Sequence, residues 1–96
     1  MPRVIFTPTA LLDLQRLREF LRSKNPLAAK RAAQAITQGV ASLGSQPHIG
    51  RPIDDLPEQF RDWSIDFGDS GYIARYHIEG GKVVILAIRH QKEAGF

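Results

Sequence analysis

The chain has 96 residues and a mass of 10.7 kDa, which fits one domain (1–96) with a single modest core. With 43% hydrophobic and 24% charged residues, wholesale disorder is excluded, and no apolar run approaches the ~20 residues of a membrane span. The absence of cysteine removes disulfides, a thiolate nucleophile and Cys-based metal sites, and the net charge of +3 permits an acidic partner without requiring one. Arg3-Val4-Ile5-Phe6 reads as a short strand closed by Thr7-Pro8, too brief an apolar run for a secretory leader. Thr7 can cap a helix, with Pro8 at its first position, where the missing N–H costs nothing. Ala10, Leu14, Leu17 and Leu21 then recur at helical spacing, widened by Leu11 and Phe20, and predict a helix over 8–23. Asn25-Pro26 repeats the cap-plus-proline start. Ala29, Ala32, Ala33, Ile36, Val40 and Leu43 form the second stripe, with Gly44 placed to end it. So short a link predicts an antiparallel helical hairpin.

Residues 45–59, with Pro47, Gly50, Pro52 and Pro57, read as an irregular connector. Trp63, Ile65 and Phe67 then alternate with Asp62, Ser64 and Asp66, the period-two pattern of a half-buried strand. After a turn at Gly68–Gly71, Tyr72–Ile78 forms a second strand, with Tyr72, Ala74, Tyr76 and Ile78 on one side and Ile73, Arg75 and His77 on the other. Gly80-Gly81 closes a hairpin. Val83–Ile88 is continuously apolar, as expected of a central strand covered on both faces, and Arg89–Phe96 is a polar tail whose end is free to reach a partner. The predicted fold is α+β, in the order β-α-α-β-β-β: a helical hairpin packed on a mostly antiparallel four-stranded sheet.

The residues that could carry chemistry are few. His48, His77 and His90 lack metal-site spacing, so no metal or other cofactor is expected. His90, beside Arg89 at the end of the apolar strand, stands where a general acid or base often sits. Arg61, Arg75, Arg89 and Lys92 could gather on or beside one sheet face and grip phosphate or carboxylate, although Asp62, Asp66 and Asp69 in the same stretch would cancel much of that field. Asp54, Asp55 and Glu58 have no partner acid for a glycosidase-like pair. There is no glycine-rich phosphate loop and no Gly-x-Ser-x-Gly nucleophile turn.

Taken in order, several of these segments form a pattern. The opening strand runs into Thr7-Pro8, Ala10 and Asp13-Leu14, and Asn25-Pro26-x-Ala28-Ala29 opens the second helix. Leu43, Pro47-x-x-Gly50-Arg51-Pro52 and Phe60-Arg61 follow, then Gly71-Tyr72-Ile73-x-x-Tyr76 and the run from Val83 to His90. In this the chain resembles the ParE branch of the RelE/ParE toxin superfamily, along essentially its whole length. The resemblance implies a cytoplasmic toxin of a type II toxin–antitoxin system of the plasmid-stabilisation type. It would inhibit DNA gyrase without catalysis of its own, be neutralised by a cognate antitoxin, and have no membrane partner and no direct nucleic-acid readout. A homodimer and a toxin–antitoxin heterotetramer are both compatible with it. RelE-like members instead cleave messenger RNA on the ribosome, using two strand lysines, an arginine after the Gly-Tyr pair, and a basic residue and tyrosine near the C-terminus. Ser64 and Asp66 stand at the lysine positions here, Ile73 replaces the arginine, and Phe96 has no hydroxyl. Were the chain a nuclease, Arg75, Arg89 and His90 would be its catalytic candidates. As a binding toxin, its expected partner contacts are Arg61, Arg75, Arg89, His90, Lys92 and Phe96. A non-toxic partner-binding module is the third alternative.

Overall fold

A computed structural model describes residues 3–93. Strand β1 (Arg3–Phe6) leads into helices α1 (Pro8–Arg22) and α2 (Pro26–Ser45), followed by β2 (Arg51–Pro52), β3 (Phe60–Phe67), β4 (Ser70–Glu79) and β5 (Lys82–His90). Both helix starts form as their sequences dictate. The Thr7 hydroxyl accepts the Ala10 N–H at 3.1 Å, and the Asn25 side chain accepts that of Ala28 at 3.1 Å. The second helix passes its expected stop: Gly44 is buried in the last turn and Gln46 is the cap. Packing holds that glycine in helical geometry, so it does not supply a left-handed terminus.

The sheet has five strands in the order β1-β5-β4-β3-β2, not four. The added strand is the two-residue β2 inside the supposed irregular connector, where Arg51 pairs with Asp62 and Pro52 with Arg61. Proline tolerates this position because β2 is an edge. All pairs are antiparallel except β1 with β5, which is parallel from Arg3↔Lys82 to Phe6↔Ile85.

Both helices cover one face. The core joins Ala10 and Leu17 of α1 and Ala32, Ile36, Val40 and Leu43 of α2 to Ile65, Tyr72, Ala74, Tyr76, Val83, Ile85 and Ile88 of the sheet. Helix α2 lies so close to β3 that a Cβ on Gly39 would stand 2.7 Å from an Ile65 side-chain carbon, and Trp63 Nε1 donates to the Gly39 carbonyl at 3.0 Å. Only glycine permits that approach.

Strand β5 is central but is not covered on both faces. Val84, Leu86 and Ala87 are only half-buried, because among the described residues no element lies over their side of the sheet. Its apolar run has a different origin. Arg75 pairs with Ala87 but Tyr76 with Ile85, so Leu86 is an extra residue that shifts the inward set from Val83 and Ile85 to Ile88 and His90.

Where β1 ends, α1 completes its work. The Thr7 N–H and hydroxyl both donate to the Ile85 carbonyl, at 3.0 and 2.9 Å, and the Asp13 carboxylate accepts the Ile88 N–H at 2.9 Å. The edge of β5 is thereby satisfied by a helix where a strand would otherwise be needed.

Candidate functional site

Two surfaces merit attention: the uncovered sheet face and the outer side of the helical hairpin. Alternation and pairing place Phe60, Asp62, Ser64 and Asp66 of β3 on the uncovered face, beside Ile73, Arg75 and His77 of β4 and Arg89 of β5. Arg75 is held there by a two-pronged ion pair with Asp62, Nε to Oδ1 at 2.9 Å and Nη2 to Oδ2 at 3.1 Å. Phe60 and His77 stack with ring centres 5.2 Å apart, and His77 meets Glu79 at 3.5 Å. The face is thus a mixture of apolar patches and self-neutralised charge.

The expected gathering of four cations does not form. Arg61 points to the opposite face and is only 7% exposed. Its Nη1 donates to the carbonyls of His48 at 3.1 Å and Gly50 at 2.9 Å, and Nη2 reaches the Glu58 carboxylate at 3.4 Å. Tyr76, its cross-strand partner, donates its hydroxyl to the Pro47 carbonyl at 2.7 Å and accepts the Gly50 N–H at 3.0 Å. Together they fasten the 46–50 connector to the sheet, so Arg61 serves the fold. Burial pushes the Tyr76 phenol above its ordinary pKa, which keeps it a neutral donor.

Arg89 occupies the uncovered face by register, but its Nη1 donates to the carbonyls of His90, Gln91 and Glu93 at 3.2, 3.3 and 2.9 Å. His90 turns to the helix side, edge-on to Tyr72 with centroids 5.4 Å apart. Its Nδ1 accepts the Lys92 N–H at 3.1 Å, which assigns the ring proton to Nε2, 3.0 Å from the Ser70 hydroxyl. Arg75 and His90 therefore sit on opposite faces. The polar tail is correspondingly not free as far as Glu93: Arg89 folds over the turn, and Glu93 accepts from Arg16 of α1 at 2.9 and 3.3 Å. Lys92 is exposed in that turn, and Phe96 lies outside the described residues.

The Arg16–Glu93 clasp has a pH signature. Hydrogen bonding from Arg16, with its charge behind it, holds the Glu93 carboxyl below the usual carboxylate range despite some burial. A depressed carboxyl stabilises the fold above its unfolded pKa, and that contribution is lost as pH falls through the folded value. Both partners are partly exposed, so the contribution is about 0.5 kcal/mol. Glu93→Gln should lower stability by that amount at neutral pH. In urea titrations the difference from the parent chain should begin to shrink near the ordinary carboxylate pKa of about 4 and vanish once pH is below the lowered folded value.

The second surface was only half legible. Leu11 and Phe20, read as core, are 53% and 61% exposed. Leu11 and Leu14 of α1 and Ala29 and Ala33 of α2 instead line a groove of about 1000 Å³ between the helices, rimmed by Arg18, Glu19, Arg22 and Lys30. The small alanines open it, and three cations face one acid across it.

Among proteins of known sequence, the profile of the ParE toxin of type II toxin–antitoxin systems (parDE) matches residues 4–95. The chain belongs to the ParE toxin family. It is similar to Toxin RelE3 of Caulobacter vibrioides, 33% identical over 93 residues and covering 97% of this chain and 98% of that toxin. Toxin RelE1 of the same organism is 32% identical, with 94% of each chain covered. In fold it resembles the chromosomal ParDE system of P. aeruginosa, with a TM-score of 0.78, 24% identity, and 94% of this chain and 96% of that one covered. It also resembles the toxin–antitoxin complex RelBE2 of Mycobacterium tuberculosis, with a TM-score of 0.64, 27% identity, and 95% and 100% covered. Both likenesses extend over nearly the whole of the two-helix, mixed-sheet architecture seen here.

Proposed function

We propose that this ParE-family toxin acts in the cytoplasm as a binding inhibitor of DNA gyrase and is neutralised by a cognate antitoxin laid in the α1–α2 groove. One observation carries the first half. Where the RelE pattern needs cations on the uncovered face, this chain has Ser64, Asp66 and Ile73, and its one arginine in the middle of that face, Arg75, is already paired with Asp62. RNA cleavage by attack of a 2′-hydroxyl builds negative charge on the phosphoryl oxygens, which Asp66 would oppose. His90, the remaining acid–base candidate, is engaged with Ser70 and the Lys92 N–H on the far side of the sheet. The groove supports the second half, since an acidic amphipathic segment that folds on binding would match its apolar floor and basic rim.

The RelE names of the Caulobacter relatives favour a second reading, a ribosome-dependent endoribonuclease using Arg75, Arg89 and His90. A supercoiling assay beside a ribosome-bound message separates the two. The expected result is blocked supercoiling, an intact message and unchanged inhibition by His90→Gln, because a binding poison transfers no proton. Codon-specific cuts with unimpaired gyrase would establish the nuclease instead, and growth unaffected by the chain alone would leave the non-toxic module.

A further inference from the structure

Positive charge in this molecule is concentrated in one segment. Residues 16–31, the turn of the helical hairpin and its flanks, hold six of the thirteen Lys/Arg and one of the ten Asp/Glu, leaving seven cations against nine acids elsewhere. Of the six, Arg16 is committed to Glu93 and Asp13. Arg18, Arg22, Lys24, Lys30 and Arg31 are exposed, and none forms an ion pair among the described residues. The exposed acids Asp54, Asp55 and Glu58 lie in the loop between β2 and β3, while Asp66 and Asp69 lie at the end of β3 and in the β3–β4 turn. A segment this rich in unpaired cations favours the approach of a polyanion.

Lys24 and Arg31 do not line the α1–α2 groove, so the positive surface extends past what a segment lying in that groove would cover. Lys24 stands in the turn of the hairpin, its ammonium 4.9 Å over the exposed Phe20 ring. Arg18 and Arg22 are one helical repeat of four apart, about 6 Å along α1, and so present a row of cations rather than a point. We infer that the hairpin tip, with Lys24 in the turn, Arg22 and Arg18 on α1 and Arg31 on α2, docks on the phosphate backbone of duplex DNA without reading its sequence. The inference is independent of which macromolecule the toxin inhibits, and Lys24 and Arg31 are outside the antitoxin groove.

The test is fluorescence anisotropy of the full chain with a labelled duplex of about 20 base pairs, titrated from about 50 to about 200 mM salt. The parent chain should bind two unrelated sequences equally, with a steep salt dependence. The double variant K24E/R31E should bind roughly 10- to 100-fold more weakly at low salt and lose about two units of the log–log salt slope. It should retain its circular dichroism spectrum and its affinity for antitoxin, because neither residue touches the groove. No binding by the parent chain at the lowest salt, or equal binding by the variant, would overturn the assignment. So would parallel loss of antitoxin affinity in a folded variant, or equal affinity for poly-glutamate, since either gives the tip to an acidic protein.

Discussion

Replacing Arg61 by leucine should destabilise the protein by about 3 kcal/mol, because one buried and one part-buried carbonyl each lose a charged donor and the Glu58 contact goes with them. The guanidinium spans the His48 and Gly50 carbonyls beneath the connector, and leucine fills the space without replacing either bond. In a domain of this size the melting temperature should fall by about 15 °C. The ion pair with Glu58 is a minor part of this, since that carboxylate is 84% exposed, and Glu58→Gln should cost less than about 0.5 kcal/mol. Tyr76→Phe removes the hydroxyl that bridges the Pro47 carbonyl and the Gly50 N–H, for about 2 kcal/mol. Both side chains hold Gly50, so the double variant should lose less than the sum of the two. Calorimetry of the three variants and the double mutant measures this, and a loss below about 1 kcal/mol for Arg61→Leu would show that the connector is anchored by other means.

The second large effect concerns the groove. Arg18, Arg22 and Lys30 rim it and are exposed, so reversing all three to glutamate should barely change folding stability. Against an acidic antitoxin segment each reversal replaces an attraction by a repulsion of about 1 kcal/mol, or roughly 100-fold in affinity for the three together. Titration calorimetry with the cognate antitoxin should find that loss, and it should be smaller at high salt, where rim charges are screened. An unchanged dissociation constant would move the antitoxin to another surface, with the uncovered sheet face next in line.

Both helices and four of the five strands were legible because their signals are local. A threonine or asparagine before proline and an apolar stripe at period 3.6 need no distant partner to be read, and neither does the alternation from Asp62 to Phe67. The two-residue β2 escaped because its pairing is imposed from outside, by Arg61 and Tyr76 gripping the backbone on either side of Gly50. Leu86 escaped for the opposite reason: a bulge in an apolar run leaves the run unbroken, and the change of parity looks like burial on both faces. Arg61 was grouped with Arg75 and Arg89 by charge, yet the strand's alternation already put it on the side of Trp63 and Ile65. Position in the pleat was the better guide than residue type. Leu11 and Phe20 mislead in another way, since an apolar residue at the margin of a stripe serves a core or a binding groove equally well.

The parallel pairing of β1 with β5 joins the chain's opening residues to nearly its last, Arg3 to Lys82 and Phe6 to Ile85. On a ribosome that adds about 5–20 residues per second, the first strand therefore waits through the synthesis of both helices and three further strands for its one strand neighbour among the described residues. The helical hairpin can form and pack on itself early, since its contacts are local, whereas the sheet closes only when the final strand has emerged. The groove between the helices is thus assembled ahead of the sheet face, and a partner that recognises the hairpin can engage the nascent chain before the domain is complete.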